Sequence, residues 1–277
     1  MKAIPFLSFL TVSISYCQLP NCNLFLSKKD TLQYNACKFL EKNEHKYYQF
    51  DKRYHDIFDE ALKICPFFAY AYRERAAPYI KSGNFLVWKQ NMDKAVKYNP
   101  VVYLPVRASL RYKFFADYKG ALKDIDSLST IISHDIGYSS NGTYHLNIVK
   151  GLCLKALDRI DEAIEIITKQ SEIEGDFSMY NHLHLGVLYI EKKDYHKALT
   201  CFEKQYRVNN IAENHYYSAI CYKNLNNLNM ALAKLNEALI LYKSKNKMID
   251  PYNELFDQIY LSDINREIDL IKKRINN

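Results

Sequence analysis

The sequence is poor in the residues that punctuate tight-turn architectures. Its 277 residues include seven glycines and seven prolines, too few for a β-rich fold with its frequent turns. No Cys-x-x-Cys pair occurs, which removes the usual zinc and thioredoxin-type motifs. There is also no P-loop, no dinucleotide-binding glycine fingerprint, no His-Glu-x-x-His and no Gly-x-Ser-x-Gly. Nothing specific therefore points to an enzyme, a metal, a cofactor or a small-molecule substrate. Two histidine arrangements do not have the geometry of a metal site. His182 and His184 lie two apart on a helix and point to different faces, and His55 with Asp59 reads as a local i,i+4 polar pair. The longest apolar stretch, Ala3–Tyr16, is too short to span a bilayer. Strong charge clustering is missing too. The net charge is +7, but outside Tyr242–Met248 and Ile271–Ile275 the basic residues are interleaved with acids, as on solvated helices, which argues against nucleic-acid binding.

What is present is an ordinary globular balance, 48% hydrophobic and 25% charged, with 24 tyrosines. Tyrosine suits a structure with much surface per unit core, because its ring packs while its hydroxyl stays wet. The N-terminus, Lys2 followed by Ala3–Tyr16 and small residues, has the form of a secretory leader over residues 1–17, with a mature start near Gln18. An acylated Cys17 is the alternative, suited by Ile14 and opposed by bulky Tyr16, and it is the only route by which membrane association is expected. The expected location is exported, periplasmic or envelope-associated, and cytoplasmic if this segment is not a leader. Of the other six cysteines, Cys22 and Cys37 are close in sequence and outside the regular region, the pair suited to bridge in an oxidising compartment. Cys65, Cys153, Cys201 and Cys221 fall on helical positions as small buried hydrophobes.

The informative feature is a repeat. A small residue recurs as Ala76, Ser109, Gly151, Gly186 and Ala219, at spacings of 33, 42, 35 and 33. Three residues later stand Tyr79, Tyr112, Leu154, Tyr189 and Tyr222; twelve later, Trp88, Ala121, Ala163, Ala198 and Ala231; sixteen later, Met92, Ile125, Ile167, Phe202 and Leu235. Between them lie the turns Ser82–Phe85, Phe115–Tyr118, Leu157–Ile160, Lys192–Tyr195 and Leu225–Leu228, whose Asn, Asp and Gly suit a turn and a helix N-cap. Pro66 and Pro100 end second helices. A hairpin this short cannot bury its own apolar stripe and must stack on neighbours, with small residues allowing close backbone approach.

This pattern resembles the tetratricopeptide repeat family, carried by His184–Tyr189, Asp194–Leu199, Phe202 and the terminal prolines, over about Asn35 to Ser244. The stretch Ala77–Pro100 resembles repeat proteins of Bacteroidetes. The first copy is degenerate: Ala61 and Pro66 fit, but its small position falls on Lys42. The implied fold is an all-α, right-handed solenoid of about six helix hairpins over residues 35–249, after an N-terminal segment 18–34 and before a capping helix 250–277. Asp250–Asn276 reads as that helix, with an apolar stripe of Leu255, Ile259, Ile264, Ile268 and Ile271. The 42-residue interval marks an inserted loop at Ser133–His145, where Gly137 and Asn141-Gly142 break helix; Asn141-Gly142-Thr143 matches a glycosylation acceptor but reads as a turn.

The resemblance implies a non-catalytic protein-interaction scaffold that holds a peptide or protein partner on the concave face. The matching inner positions are Tyr70, Arg73, Ala77, Tyr103, Val106, Leu110, Ile148, Leu152, Leu183, Val187, Tyr216 and Ile220, about half of them expected to be buried between helices. A carboxylate clamp is not expected, because its lysine and asparagine positions are Ala77, Leu110, Leu152, Val187 and Ile220; an apolar or aromatic contact surface is. The second reading is a lipid-anchored envelope assembly or export factor.

Overall fold

A computed structural model describes residues 19–140, 142–175 and 179–276. The expected leader, Cys17 and Asn141 lie outside the described residues. Among the described residues there are fourteen α-helices and no β-strand, in two compact units, one ending at Asn99 and one of Pro100–Asn277.

The first unit contains α1 (Asn23–Ser27), α2 (Thr31–Asn43), α3 (Lys52–Ile64), α4 (Ala69–Lys81) and α5 (Phe85–Tyr98). Two hairpins, α2/α3 and α4/α5, form its body. Cys22 and Cys37 are joined by a disulfide with their Cα atoms 5.5 Å apart, tying the segment before α1 to the middle of α2. Around this bridge pack Leu40, Phe58 and Phe68, each almost fully buried. The first copy corrects one expectation. Lys42 is exposed, and the small buried residues of α2 are Ala36 and Cys37. The turn between α2 and α3 spans 44–51, longer than the turns of later copies, so a fixed spacing overshoots the contact.

The second unit contains four hairpins and a final helix. They are α6 (Pro100–Phe115) with α7 (Tyr118–Ile131), α8 (Leu146–Ala156) with α9 (Ile160–Glu174), α10 (Asn181–Glu191) with α11 (Tyr195–Val208), α12 (Ala212–Asn224) with α13 (Leu228–Lys243), and α14 (Leu261–Asn276). Six hairpins in all give the helix-hairpin solenoid class. The repeat markers behave as nesting contacts. Ala76, Ser109, Gly151, Gly186 and Ala219 are buried, as are Trp88, Ala121, Ala163, Ala198 and Ala231, and so are Met92, Ile125, Ile167, Phe202 and Leu235. A Cβ built on Gly186 would lie 2.3 Å from Phe202 Cε1, and one on Gly151 2.4 Å from Ile167 Cγ1. Those glycines are present because the partner helix fills the space a side chain would need.

The turns of the last five hairpins share one geometry. The residue before the second helix's N-cap has a left-handed backbone: Gly83 (φ 71°), Ala116 (49°), Asp158 (60°), Lys193 (60°) and Asn226 (60°). Asn84, Asp117, Asp194 and Asn227 then cap their helices by accepting from the backbone N–H groups of Val87, Gly120, Lys197 and Met230. The Leu157–Ile160 turn departs from the expectation. Its Asp158 takes the left-handed position, so Arg159 stands at the cap and its side chain, which pairs with Glu162, makes no capping bond. Asp161 and Glu162 in the first turn complement the helix dipole instead. Pro100 both follows α5 and opens α6, where its missing N–H costs nothing.

The C-terminal region corrects a further expectation. Only Leu261–Asn276 is helical. Residues 246–260 are irregular, and Leu255 and Ile259, read as part of one helical stripe, are buried in this non-helical strap. Pro251 and the left-handed Asp257 (φ 63°) interrupt the ladder. Helix α14 packs on α13 through Ile264, Ile268 and Ile271 and is pinned by Lys223 Nζ to Glu267 Oε2 at 2.6 Å.

Candidate partner-binding groove

The expected inner positions divide sharply by burial. In the first unit Tyr70 is buried, and its hydroxyl donates to Glu44 Oε2 at 3.0 Å. Burial raises the Glu44 carboxyl above its usual range, partly offset by that hydrogen bond. Arg73 pairs with Glu74, and Arg73 and Ala77 are half-buried. The His55–Asp59 pair does not form as read from spacing. Asp59 meets Arg75 Nη1 at 3.0 Å, and the His55 ring packs beside Tyr54 and Tyr79.

In the second unit Tyr103, Ile148, Leu152, Leu183, Val187 and Tyr216 are buried, with Ile148, Leu152 and Leu183 completely so, while Val106, Leu110 and Ile220 are half-buried. The reason is on the same chain. Ile148, Leu152, Leu183 and Val187 share one apolar cluster with Tyr144, from the inserted loop, and with Met248 and Leu255, from the strap. Two irregular segments thus close over positions that an open repeat would leave accessible, and these core residues present a partner with no free surface.

The strap is held by first helices almost throughout. It leaves α13 beside α12, where Asn246 O accepts from the Ala212 N–H at 2.9 Å and the Met248 N–H donates to Glu213 Oε2 at 3.0 Å. It reaches α6, where Asp250 pairs with Lys113, and returns. On the return limb the Phe256 ring stacks on Tyr112, with centroids 5.8 Å apart at 12°, and meets the edge of Tyr118. Asp257 accepts from Lys155 on α8 and from His184 Nδ1 on α10, the latter at 2.6 Å. Ile259 closes the path in the α12–α14 cluster.

His184 links both segments. Its Nδ1 meets Asp257 and its Nε2 lies 3.0 Å from the Tyr144 hydroxyl. Burial alone would raise the Asp257 carboxyl, but Lys155 and His184 outweigh it and hold the group below the usual carboxylate range. Burial keeps the Tyr112 and Tyr144 hydroxyls protonated far beyond their ordinary range. Glu213 carries no comparable cation, and burial pushes its carboxyl up to about 7.

The described residues of the inserted loop are tied by hydrogen bonds. Ser139 N–H donates to Tyr144 O, Leu146 N–H to Gly137 O, and His145 Nε2 lies 2.7 Å from Asp135 Oδ1. A pocket of about 180 Å³ lies between α6, this loop and the strap, lined by Leu110, Tyr112, Ser139, Tyr144, Tyr252 and Leu255 among others.

Beside the expected apolar and aromatic residues the surface also carries charge. Carboxylates are held here by Lys113 and Lys155, each three residues beyond the positions inspected for a clamp, Leu110 and Leu152. One helical turn moves a side chain along the same face, so these lysines do not stand at the clamp positions themselves. Tyr112 was visible as a repeat marker; the roles of His184, Glu213 and Asp257 had no sequence signal, since each depends on a segment distant in the chain. Burial raises the thiols of Cys65, Cys153, Cys201 and Cys221, to about 11 for Cys201 and about 12 for Cys221, which leaves them protonated and unreactive. Among the described residues no cluster of three or more His, Cys, Asp or Glu is arranged to hold a metal, and no helix is long and apolar enough to cross a membrane.

A family profile described as a tetratricopeptide repeat matches residues 181–210, the α10/α11 hairpin. A comparison with curated proteins gives no match. Among solved structures the chain is similar to PilW, described as a widely conserved type IV pilus biogenesis factor, with a TM-score of 0.55 at 14% identity over 91% of this chain and 94% of that one. It is similar to MamA, with a TM-score of 0.54 at 14% identity over 66% and 98%. It is also similar to pilF of Pseudomonas aeruginosa, with a TM-score of 0.53 at 14% identity over 78% and 93%. At such identities the likeness is one of fold.

Proposed function

We propose that this chain, a tetratricopeptide repeat protein, is a non-catalytic scaffold that binds a peptide or protein on the inner surface of its first helices. The observation that carries this reading is the strap. The surface formed by α6, α8, α10 and α12 already grips an irregular stretch of polypeptide through a backbone bond, a carboxylate accepting from a strap N–H, an aromatic stack and two lysine–carboxylate pairs. A surface with those groups suits peptide recognition, in which main-chain bonds give affinity and side-chain subsites give selectivity. The disulfide Cys22–Cys37 supports work in an oxidising compartment, where such bonds persist.

The test is site-specific photo-crosslinking in the native cell. A photoreactive residue at Leu110, half-buried and lining the pocket beside the strap, is expected to give a discrete crosslinked partner, and one at exposed Glu165 on α9 is not. Absence of a crosslink from Leu110 would contradict the scaffold reading. The lipid-anchored assembly factor is the second reading, favoured by Ile14 and Cys17 in the sequence. Mass spectrometry of the mature N-terminus separates the two: a diacylglyceryl Cys17 supports the anchor, and a free start near Gln18 rules it out.

A further inference from the structure

We infer that the groove holding the strap also receives a segment of another protein, and that this segment carries an aromatic residue followed directly by aspartate or glutamate. The inference rests on the scaffold reading and adds the partner's chemistry to it. The strap acts as a ligand supplied by the same chain. Its Phe256–Asp257 pair shows what the groove is built to take: a flat ring on Tyr112, then a carboxylate between Lys155 and His184.

Three observations point to an exchangeable occupant. First, although Met248 and Leu255 join the core cluster, the strap's polar and aromatic contacts fall at distinct subsites on successive first helices, while the nesting of hairpin on hairpin is done by the repeat's own small residues. Second, the strap's ends are anchored independently of its centre. Helix α13 continues the repeat, and α14 packs on α13 through its own isoleucines, so displacing residues 250–257 leaves both elements in place. Third, the lysines at the groove present fixed positive charge where the strap places carboxylates, and a partner with that charge pattern meets the same complement. Tyr252, at the far end of the strap, is 78% exposed, so the turn of the loop is not locked into the core. An occupant in cis lowers the apparent affinity for a partner by the fraction of time the groove is open.

The probe is a synthetic peptide of residues 249–260, titrated by calorimetry into the full chain. In the strap variant Phe256→Ala/Asp257→Asn the peptide is expected to bind at 1:1, at least ~10-fold more tightly than to the unaltered chain, because the competing pair is gone. Adding Lys155→Ala to that variant is expected to weaken binding by ~10-fold or more, and replacing the peptide's phenylalanine by alanine is expected to do the same. No binding to a strap variant that still unfolds cooperatively would overturn the inference. So would a dimer, by light scattering, in which two copies exchange straps, since the occupant would then be a second copy. Hydrogen exchange on the unaltered chain decides the matter without any variant. The Leu255 amide, within the displaced stretch and bonded to Gln258 Oε1, is expected to exchange at least ~100-fold faster than the α8 and α10 core amides, reporting local opening; equal rates would make the strap a permanent part of the core and contradict the inference. These results stand apart from the crosslinking test, which reports a partner whatever its sequence.

Discussion

At the scale of single residues, the repeat is maintained by what is left out. Gly186 lacks the Cβ that would sit 2.3 Å from the Phe202 ring, and Phe202 is itself 1% exposed. Gly186→Ala is therefore expected to destabilise the second unit by about 1–3 kcal/mol through overpacking, and Phe202→Ala by about 3–5 kcal/mol through the cavity it leaves; urea unfolding reads both. The turns allow the opposite effect. Ala116 holds a left-handed backbone at φ 49°, which suits glycine. Ala116→Gly is expected to raise stability by about 0.5–1 kcal/mol, the relief of strain exceeding the extra chain entropy. Glu213 sets a pH dependence. Its carboxyl is raised to about 7 in the folded chain from an ordinary 4.5, so the folded state binds the proton more tightly than the unfolded state. The associated stability is fully present below about 4.5 and is lost as pH rises to about 7, a fall of about 3 kcal/mol. Glu213→Gln is expected to flatten that slope in denaturation curves taken between those pH values; an unchanged slope would assign it to another group.

At the scale of elements, the hairpins could be read from the sequence because each is local. The marker spacing located every first and second helix from α4 to α13, and Asp117, Asp194, Asn84 and Asn227 announced their caps. The inserted loop was legible as a 42-residue interval. Its role was not, because Tyr144 acquires its partner, His184, 40 residues away. The strap was misread for a definite reason. Leu255 and Ile259 keep helical spacing with Ile264, Ile268 and Ile271, but in the strap they are buried by the groove and by α12 rather than by one helix face. Periodicity reports burial and not the backbone that achieves it. In the first unit the element most dependent on covalent help is the short α1. The Cys22–Cys37 loop closes 15 residues, for which the chain-entropy relation gives about 3 kcal/mol. Cys22→Ser is expected to lower the unfolding free energy by about that amount and to make the protein insensitive to reductant, with the second unit's core unchanged in hydrogen exchange.

At the scale of the whole molecule, the nesting of hairpins through small side chains leaves one side of each first helix uncommitted. In the second unit that side is filled by the chain's own strap and inserted loop. The same stacking that gives stability thus creates a surface suited to polypeptide, and the groups that seat the strap are those available to a partner. The most direct measurement is a crystal structure of the full chain carrying Phe256→Ala/Asp257→Asn, grown with the 249–260 peptide. The expected result is peptide density in the groove, its phenylalanine ring against Tyr112 and the following carboxylate between Lys155 and His184. An empty groove with the peptide absent or bound elsewhere would contradict a polypeptide-binding role for this surface.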